Sequence, residues 1–197
     1  QMGCQIVVLE TGLGGLLDST NIIKNTLVAA FASISMDHMA VLGNTLTAIA
    51  KQKAGIIKPG CSVVTCMQEQ DVMDVIGKCV KDNECDLIVA DVQNATKVRY
   101  GITRQQFDYN GLKNIEIALA GKCQISNCVT AIEVIKALGA KGFPVTEKTL
   151  RAGLKATRWD GRFTALKKQP LFIVDGAHNP NGVEELAKCL NTYLPGK

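Results

Sequence analysis

The sequence lacks several features that would assign it quickly to a common class. No segment approaches the roughly 18 consecutive apolar residues that a membrane-spanning helix needs. Lys and Arg are scattered among acidic residues, and the formal net charge is only +4 in 197 residues, so neither a membrane nor a nucleic-acid partner is expected. Aromatic residues make up 5% of the chain and there are only two histidines, which makes each histidine a candidate for a specific role.

Cysteine is plentiful, but its spacing excludes the common metal templates. The eight cysteines form no Cys-x-x-Cys pair and match no zinc pattern; they lie at positions 4, 61, 66, 79, 85, 123, 128 and 189. Most are in apolar or helical surroundings, where a reduced cysteine behaves as a small hydrophobic residue. No secretory signal precedes the first strand-like segment. We therefore expect a reduced, cytoplasmic protein.

Apolar runs alternate with helical patterns along the chain. The predicted strands are 6–9, 27–34, 62–65, 87–90 and 171–174, and the predicted helices are 45–56, 71–82, 126–139 and 146–156. Near-continuous hydrophobicity is typical of parallel strands buried on both faces, so the pattern predicts an α/β fold with a mostly parallel sheet flanked by helices. Residues 97–121 alternate around Asn110-Gly111, which predicts a small antiparallel excursion.

A glycine-rich turn directly follows the acidic residue Glu10. The segment "LETGLGGLLDSTN" (9–21) fails the dinucleotide fingerprint because Leu17 stands where a third glycine or alanine is needed, and the Gly-Lys-Ser/Thr of a P-loop occurs nowhere in the chain. Glu10 ends a predicted parallel strand, where α/β folds place ligands, and a carboxylate suits Mg²⁺. The alternative is that Glu10 caps a turn or pairs with a lysine.

Other polar residues carry weaker signals. His38 and His178 each follow a predicted strand beside an Asp or Asn, and His178 precedes a helix started by Pro180, where it could bond a phosphoryl oxygen. Each histidine could equally be structural. Helical periodicity alone favours a solvated Lys53. The amide of Asn127, with that of Gln124, could cap its helix or contact the edge of a base.

Five ordered motifs together resemble a known family. They are "LETGLGGLLDSTN" (9–21), "SMDHMAVLGNTLTAIAKQKAGIIKPG" (35–60), "GKCQISN" (121–127), "WDGRF" (159–163) and "DGAHNPNG" (175–182). This set is similar to the dihydrofolate synthase/folylpolyglutamate synthase family of the Mur ligase superfamily, over nearly the full chain. The resemblance implies a central ATP- and magnesium-binding domain, truncated at its amino end, over 1–157 and the beginning of a Rossmann-like carboxyl-terminal domain over 158–197.

The same resemblance implies a reaction and its partners. Family members use ATP to phosphorylate a pteroate or folate carboxylate, and the amine of L-glutamate then attacks the acyl phosphate. The expected partners are ATP, dihydropteroate or a reduced folate, and L-glutamate, handled by a monomer. Because phosphoryl transfer to a carboxylate brings anions together, Mg²⁺ and cationic donors are expected to neutralise them.

The family's site residues can be carried onto matching positions. Glu10 and His38 match its magnesium ligands, and Lys53 matches a lysine that the family carries as a carbamate. Asn127, Arg162 and Asp175 match ATP-contacting positions, and His178 lies near the transferred phosphoryl group. Leu17, Asp18 and Ser19 match the segment beside the pterin.

The chain also departs from the family pattern. Leu16 stands where the family usually has arginine, Cys123 replaces a common histidine, Asp160 a proline and Thr164 a glutamate. The family's P-loop and most of its carboxyl-terminal domain are not in the sequence, so we expect the chain to be part of a longer protein and to be inactive alone.

The alternatives are a catalytically inactive nucleotide-binding remnant, and another Mur-type ligase acting on peptidoglycan precursors; "GLGGLLDSTN" and "KAGIIKPG" favour the folate branch.

Overall fold

The fold is known from a computed structural model that describes residues 3–194. The strands are β1 (Val28–Phe31), β2 (Ser62–Cys66), β3 (Asp86–Ala90), β4 (Ala95–Arg99), β5 (Gln105–Tyr109), β6 (Leu112–Ile117), β7 (Thr164–Lys168) and β8 (Leu171–Val174). The helices are α1 (Met39–Leu42), α2 (Leu46–Ala54), α3 (Gln70–Asp82), α4 (Lys122–Ala140), α5 (Glu147–Ala156) and α6 (Pro180–Tyr193). Short 3₁₀ helices cover Ser19–Ile22 and Val92–Asn94. No helix in 3–194 is long and apolar enough to cross a membrane.

The strands form one parallel and two antiparallel sheets within these residues. β1, β2 and β3 make the parallel sheet in that order, and all five residues of the central β2 are buried. β4, β5 and β6 form an antiparallel meander, and β7 pairs with β8 as a hairpin. The predicted mixture of a parallel sheet, flanking helices and an antiparallel excursion is confirmed.

The chain divides into two compact units. The first comprises 1–29, 34–63 and 68–87, and α2 packs on α3 there through buried residues that include Ile49, Ala50, Val72 and Ile76. The second comprises 30–33, 64–67 and 88–197, and its buried side chains include Phe107 and Ile115 from the meander and Val129 and Ile132 from α4.

Local sequence chemistry explains where most elements turn or start. Asn110 (φ 43°) and Gly111 (φ 88°) both have positive φ, as a two-residue hairpin turn between β5 and β6 requires. The hydroxyl of Thr45 accepts a hydrogen bond from the Ala48 amide at the start of α2, and Thr146 caps α5 in the same way.

Three sequence-based expectations are wrong. Residues 6–9 do not form a strand: no described strand pairs with them, and Val8 is 93% exposed. β8 is not a parallel strand buried on both faces; it pairs antiparallel with β7 and alternates partly buried and exposed residues. Helix α4 begins at Lys122, not at 126, and runs through Gly139 to Ala140. For the two predicted strands, the apolar pattern could not specify which backbone lies alongside.

Candidate functional site

The predicted site residues fall into two groups, each within one compact unit. Glu10, Leu17, Asp18, Ser19, His38 and Lys53 belong to the first unit. Asn127, Arg162, Asp175 and His178 belong to the second unit.

The glycine-rich turn packs its backbone directly on the last turn of α2. The Leu16 amide donates to the Gln52 carbonyl at 2.7 Å. A Cβ on Gly15 would lie 2.7 Å from the Lys53 carbonyl oxygen and 2.9 Å from that of Gln52, and a Cβ on Gly55 would lie 2.5 Å from the Leu16 Cα. These approaches are too close for any side chain, so the glycines serve backbone contact and not phosphate binding.

Asp18 organises this turn. One carboxylate oxygen accepts from the Leu13 amide at 2.9 Å, and the other accepts from the amide and hydroxyl of Thr20 at 2.9 and 2.6 Å. These hydrogen bonds, that from the Thr20 hydroxyl foremost, lower the pKa of Asp18 to about 2. Asp18 is therefore ionised at neutral pH, and both of its oxygens are engaged by the turn itself.

Beyond Asp18, the turn presents apolar surface. Leu17 is 88% exposed and Leu16 is half exposed, while Ser19 opens the 3₁₀ helix with its side chain exposed. Asn21 fastens this end, because its side-chain amide donates to the carbonyls of Leu16 (3.0 Å) and Gly55 (3.1 Å). An exposed leucine pair on a fixed backbone offers flat contact area to an aromatic ligand.

His38 is held in an unusual backbone conformation. Its φ and ψ are 49° and 37°, the left-handed region that non-glycine residues seldom adopt, and it precedes the first turn of α1. The Asp37 carboxylate accepts the His38 amide at 2.8 Å and lies 3.9 Å from its ring nitrogen Nε2. The imidazole is more than half exposed and is therefore accessible to a ligand.

Glu10 and Lys53 are the remaining residues of the first group. Glu10 is exposed, and its carboxylate forms no hydrogen bond or ion pair within residues 3–194; Lys53 is half-buried in the last turn of α2. Within the same described range, no three His, Cys, Asp or Glu side chains converge as a metal cluster. Mg²⁺ is commonly bound by one or two protein carboxylates together with water and substrate phosphates, so the exposed carboxylate of Glu10 is of the ligand type that this ion takes. In the part of the chain that the structure describes, Glu10 and His38 make no hydrogen bond or ion pair with each other.

In the second group, the turn after β8 brings Arg162, Asp175 and His178 together. The Asp175 carboxylate accepts from the Phe163 and Ala177 amides, each at 2.8 Å, and the Gly176 amide donates to the Gly161 carbonyl at 2.7 Å. A Cβ on Gly176 would lie 3.0 Å from Nη1 of Arg162, so glycine leaves room for the guanidinium. The segments 161–163 and 175–177 thus form one backbone-linked unit.

His178 has a defined tautomer in this turn. Its Nδ1 lies 2.8 Å from the Gly176 carbonyl, and because a carbonyl only accepts, Nδ1 carries the proton. The Nε2 atom is left to face a ligand. Helix α6 follows at once, with the Asn179 side chain accepting from the Gly182 amide at 2.7 Å and Pro180 at the first helical position.

A cleft of about 160 Å³ lies beside Arg162. Its wall includes Trp159, whose ring centre is 5.0 Å from Cζ of Arg162, a cation–π contact. Trp159 is the only tryptophan and is half exposed. Trp159 was not among the predicted site residues, although its place in "WDGRF" beside Arg162 was a usable signal.

Asn127 lies on α4 away from the helix start. Its side-chain amide donates to Oε1 of Gln124 at 3.2 Å, and no side chain caps the helix at Gly121. The capping interpretation of these two amides is therefore wrong. Gln124 is buried, and Asn127 is exposed.

A buried network that sequence reasoning did not identify holds the amino end of α4. The Tyr193 hydroxyl accepts from the Gly121 amide at 2.8 Å and donates to Oε1 of Gln105 at 2.7 Å. The side-chain amide nitrogen (Nε2) of Gln105 donates to the Leu119 and Gly121 carbonyls at 2.8 and 2.9 Å. No local motif signals this network, because 88 residues separate Gln105 from Tyr193.

Comparison with known proteins assigns the class. The Mur ligase middle domain family matches residues 1–135, and the chain belongs to the Mur ligase family. It is 34% identical to the folylpolyglutamate synthase of Lacticaseibacillus casei, over 96% of this chain and 46% of the relative. It is 32% identical to the dihydrofolate synthase/folylpolyglutamate synthase of Bacillus subtilis (strain 168), over 93% of this chain and 44% of the relative.

The structural comparison agrees with the sequence comparison. A solved FPGS–AMPPCP–folate complex superposes with a TM-score of 0.87 at 33% identity, covering 93% of this chain and 46% of that chain. The chain spans about half the length of the relatives that it matches. The predicted membership of the Mur ligase superfamily, the predicted similarity to folylpolyglutamate and dihydrofolate synthases, and the predicted fold are confirmed.

Proposed function

We propose that this chain serves an ATP-dependent ligase that joins L-glutamate to dihydropteroate or a reduced folate through an acyl phosphate. The observation that carries the proposal is the structural match to the FPGS–AMPPCP–folate complex across 93% of the chain. The relatives reported above act in folate chemistry by name, which favours a folate acceptor over a peptidoglycan precursor.

In this proposal the second unit holds the nucleotide. Arg162 supplies a positive charge to the phosphates: its guanidinium lies over the Trp159 ring, and Gly176 leaves room for it. Asp175 supports this arrangement and contacts ATP from the same turn, and Asn127 contacts ATP from α4. Because Nδ1 of His178 is bound to a carbonyl, Nε2 is the atom that meets the transferred phosphoryl group, and it donates when the ring is protonated.

The first unit holds the metal and the acceptor. Glu10 and His38 would bind Mg²⁺, which neutralises charge on the phosphate oxygens when it is bound. Lys53 would carry a carbamate, formed when its neutral amine adds CO₂ and loses a proton, which changes a cation into an anion near the metal ligands. Leu17 and Ser19 contact the pterin, while Asp18 fixes the turn that presents them.

The wider assignments complete the proposal. We place the central domain at 1–157 and the following domain from 158, in a monomeric cytoplasmic protein. Since the chain contains no Gly-Lys-Ser/Thr sequence, the 197 residues alone are expected not to turn over. Robust ATP- and glutamate-dependent ligation by the isolated chain would refute that expectation.

A chimera tests the acceptor. The L. casei folylpolyglutamate synthase is built with this chain in place of its matching segment, and glutamate incorporation is measured with dihydropteroate and with tetrahydrofolate. Incorporation into either acceptor supports the proposal, and the ratio assigns the acceptor preference. A folded chimera, verified by circular dichroism, that incorporates glutamate into neither acceptor contradicts it.

A further inference from the structure

Two cysteines of the first unit lie in direct contact, away from the residues discussed so far. The sulfurs of Cys61 and Cys85 are 3.6 Å apart, although 24 residues separate them in sequence. Cys61 immediately precedes β2 and Cys85 immediately precedes β3, which are neighbours in the parallel sheet. The pair therefore occupies the amino-terminal edge of that sheet, whereas ligands of α/β sheets bind beyond the carboxyl ends.

Backbone hydrogen bonds hold the two loops together. The Gly60 amide donates to the Asn83 carbonyl at 3.0 Å, which joins the residue before Cys61 to the residue two positions before Cys85. The Cys61 amide donates to the Lys58 carbonyl at 3.1 Å, and the Cys85 sulfur lies 3.2 Å from the same oxygen. Backbone contacts between the two loops therefore fix the positions of the two thiols.

We propose that Cys61 and Cys85 are a dithiol that a hydroperoxide converts to an intramolecular disulfide. A disulfide needs the sulfurs at about 2.05 Å, so the two sulfurs must approach by about 1.5 Å from their separation of 3.6 Å. The two thiols differ in exposure: Cys61 is 2% exposed, while Cys85 is partly exposed. Cys85 is therefore the thiol that a peroxide in solvent meets first.

The chemistry balances with hydrogen peroxide as the oxidant. The Cys85 thiolate attacks one peroxide oxygen, the O–O bond breaks, and a sulfenic acid and hydroxide result; the hydroxide takes up the thiol proton as water. The Cys61 sulfur then attacks the sulfenic sulfur, the S–O bond breaks, and the Cys61 proton leaves with the hydroxyl as a second water. Two thiols are oxidised by two electrons and one peroxide is reduced to two waters.

Peptide mapping of the 197-residue protein tests the proposal. The protein is treated with hydrogen peroxide, remaining thiols are blocked, and non-reduced digests are analysed by mass spectrometry. We expect a Cys61–Cys85 cross-linked peptide as the first disulfide formed, with a loss of about 2 Da that dithiothreitol reverses. A cross-link of either cysteine to another partner, or oxidation of Cys85 to sulfinic acid without a cross-link, would overturn it.

Variants provide the matched comparison. Cys85→Ser should abolish the cross-link, and Cys79→Ser, which alters a partly buried cysteine of α3 in the same unit, should leave it intact. Peroxide treatment should raise the Tm of the wild type and of Cys79→Ser by about 5 °C and leave that of Cys85→Ser unchanged, because the disulfide restricts the unfolded chain. An equal shift in all three proteins would contradict the assignment. The wild-type mapping stands by itself if a variant fails to fold.

Discussion

At the scale of single residues, the glycine-rich turn depends on the absence of a side chain at Gly15. A Cβ there would meet two backbone carbonyls of α2, which cannot move aside as a flexible side chain would. Gly15→Ala should lower the free energy of unfolding by about 1–3 kcal/mol. Gly77→Ala, in the middle of α3 with open space around it, is the control and should raise it by up to about 1 kcal/mol. Urea titration measures both; equal effects would contradict the close packing.

Asp18 gives the turn a pH dependence of known sign. Because its pKa is lowered to about 2 from 3.8, folding favours the ionised form, so its stabilisation is present above pH 3.8 and is lost as the pH falls towards 2. The free energy of unfolding of the wild type should therefore exceed that of Asp18→Asn by more at pH 6 than at pH 2. A difference that stays constant over this range would remove Asp18 as the organiser of the turn.

Replacing Lys53 should lower the rate of glutamate ligation, whereas replacing Lys51 should not. In the chimera, Lys53→Ala should reduce glutamate ligation at least about tenfold, because the carbamate that helps to hold the metal is lost, with partial rescue by short carboxylic acids. Lys51→Ala changes an exposed lysine of the same helical turn and should leave the rate near that of the parent. Equal rates for the two variants would exclude Lys53 from the site.

At the scale of elements, Tyr193 joins helix α6, the start of α4 and strand β5. Tyr193→Phe removes the hydroxyl and leaves the fully buried Gln105 carbonyl without that donor, so the free energy of unfolding should fall by about 1–3 kcal/mol. Tyr100→Phe alters a half-exposed ring and should change it by less than about 0.5 kcal/mol. Thermal or urea unfolding decides between them, and similar values would contradict the network.

Elements were predictable wherever local chemistry specified them. The starts predicted for the helices at 45 and 146 agree with the structure to within one residue, and Asn110-Gly111 forms the predicted hairpin turn, since capping and positive φ are properties of a few adjacent residues. Strand pairing, in contrast, depends on residues that are distant in the sequence. The apolar run at 6–9 has no strand beside it among the described residues, and 171–174 pairs with β7, which its own letters could not specify.

In the candidate site, too, local motifs were predictable from the sequence and long-range contacts were not. Motif resemblance singled out Arg162, Asp175 and His178, and the structure brings the segment of Arg162 against the turn that carries Asp175 and His178. It could not reveal that the oxygens of Asp18 are already engaged, or that Gln105 and Tyr193 fix the start of α4, because those facts depend on contacts between distant segments.

At the scale of the whole molecule, the central claim is that this chain provides the metal-binding and nucleotide-binding parts of a glutamate ligase. The two groups of residues lie in separate compact units, so a reaction that needs both is the most demanding test of the assignment. Glu10 is the residue to change, since its exposed carboxylate has no partner among residues 3–194 and its loss should leave the fold intact.

The most direct measurement is magnesium- and ATP-dependent glutamate incorporation by the L. casei chimera, compared with the same chimera carrying Glu10→Gln. Both proteins are first matched for circular dichroism and Tm. The account predicts incorporation by the parent chimera and a loss of at least about a hundredfold in Glu10→Gln, partly recovered at high Mg²⁺ concentration. Equal incorporation by both folded proteins, or none by the parent, would contradict it.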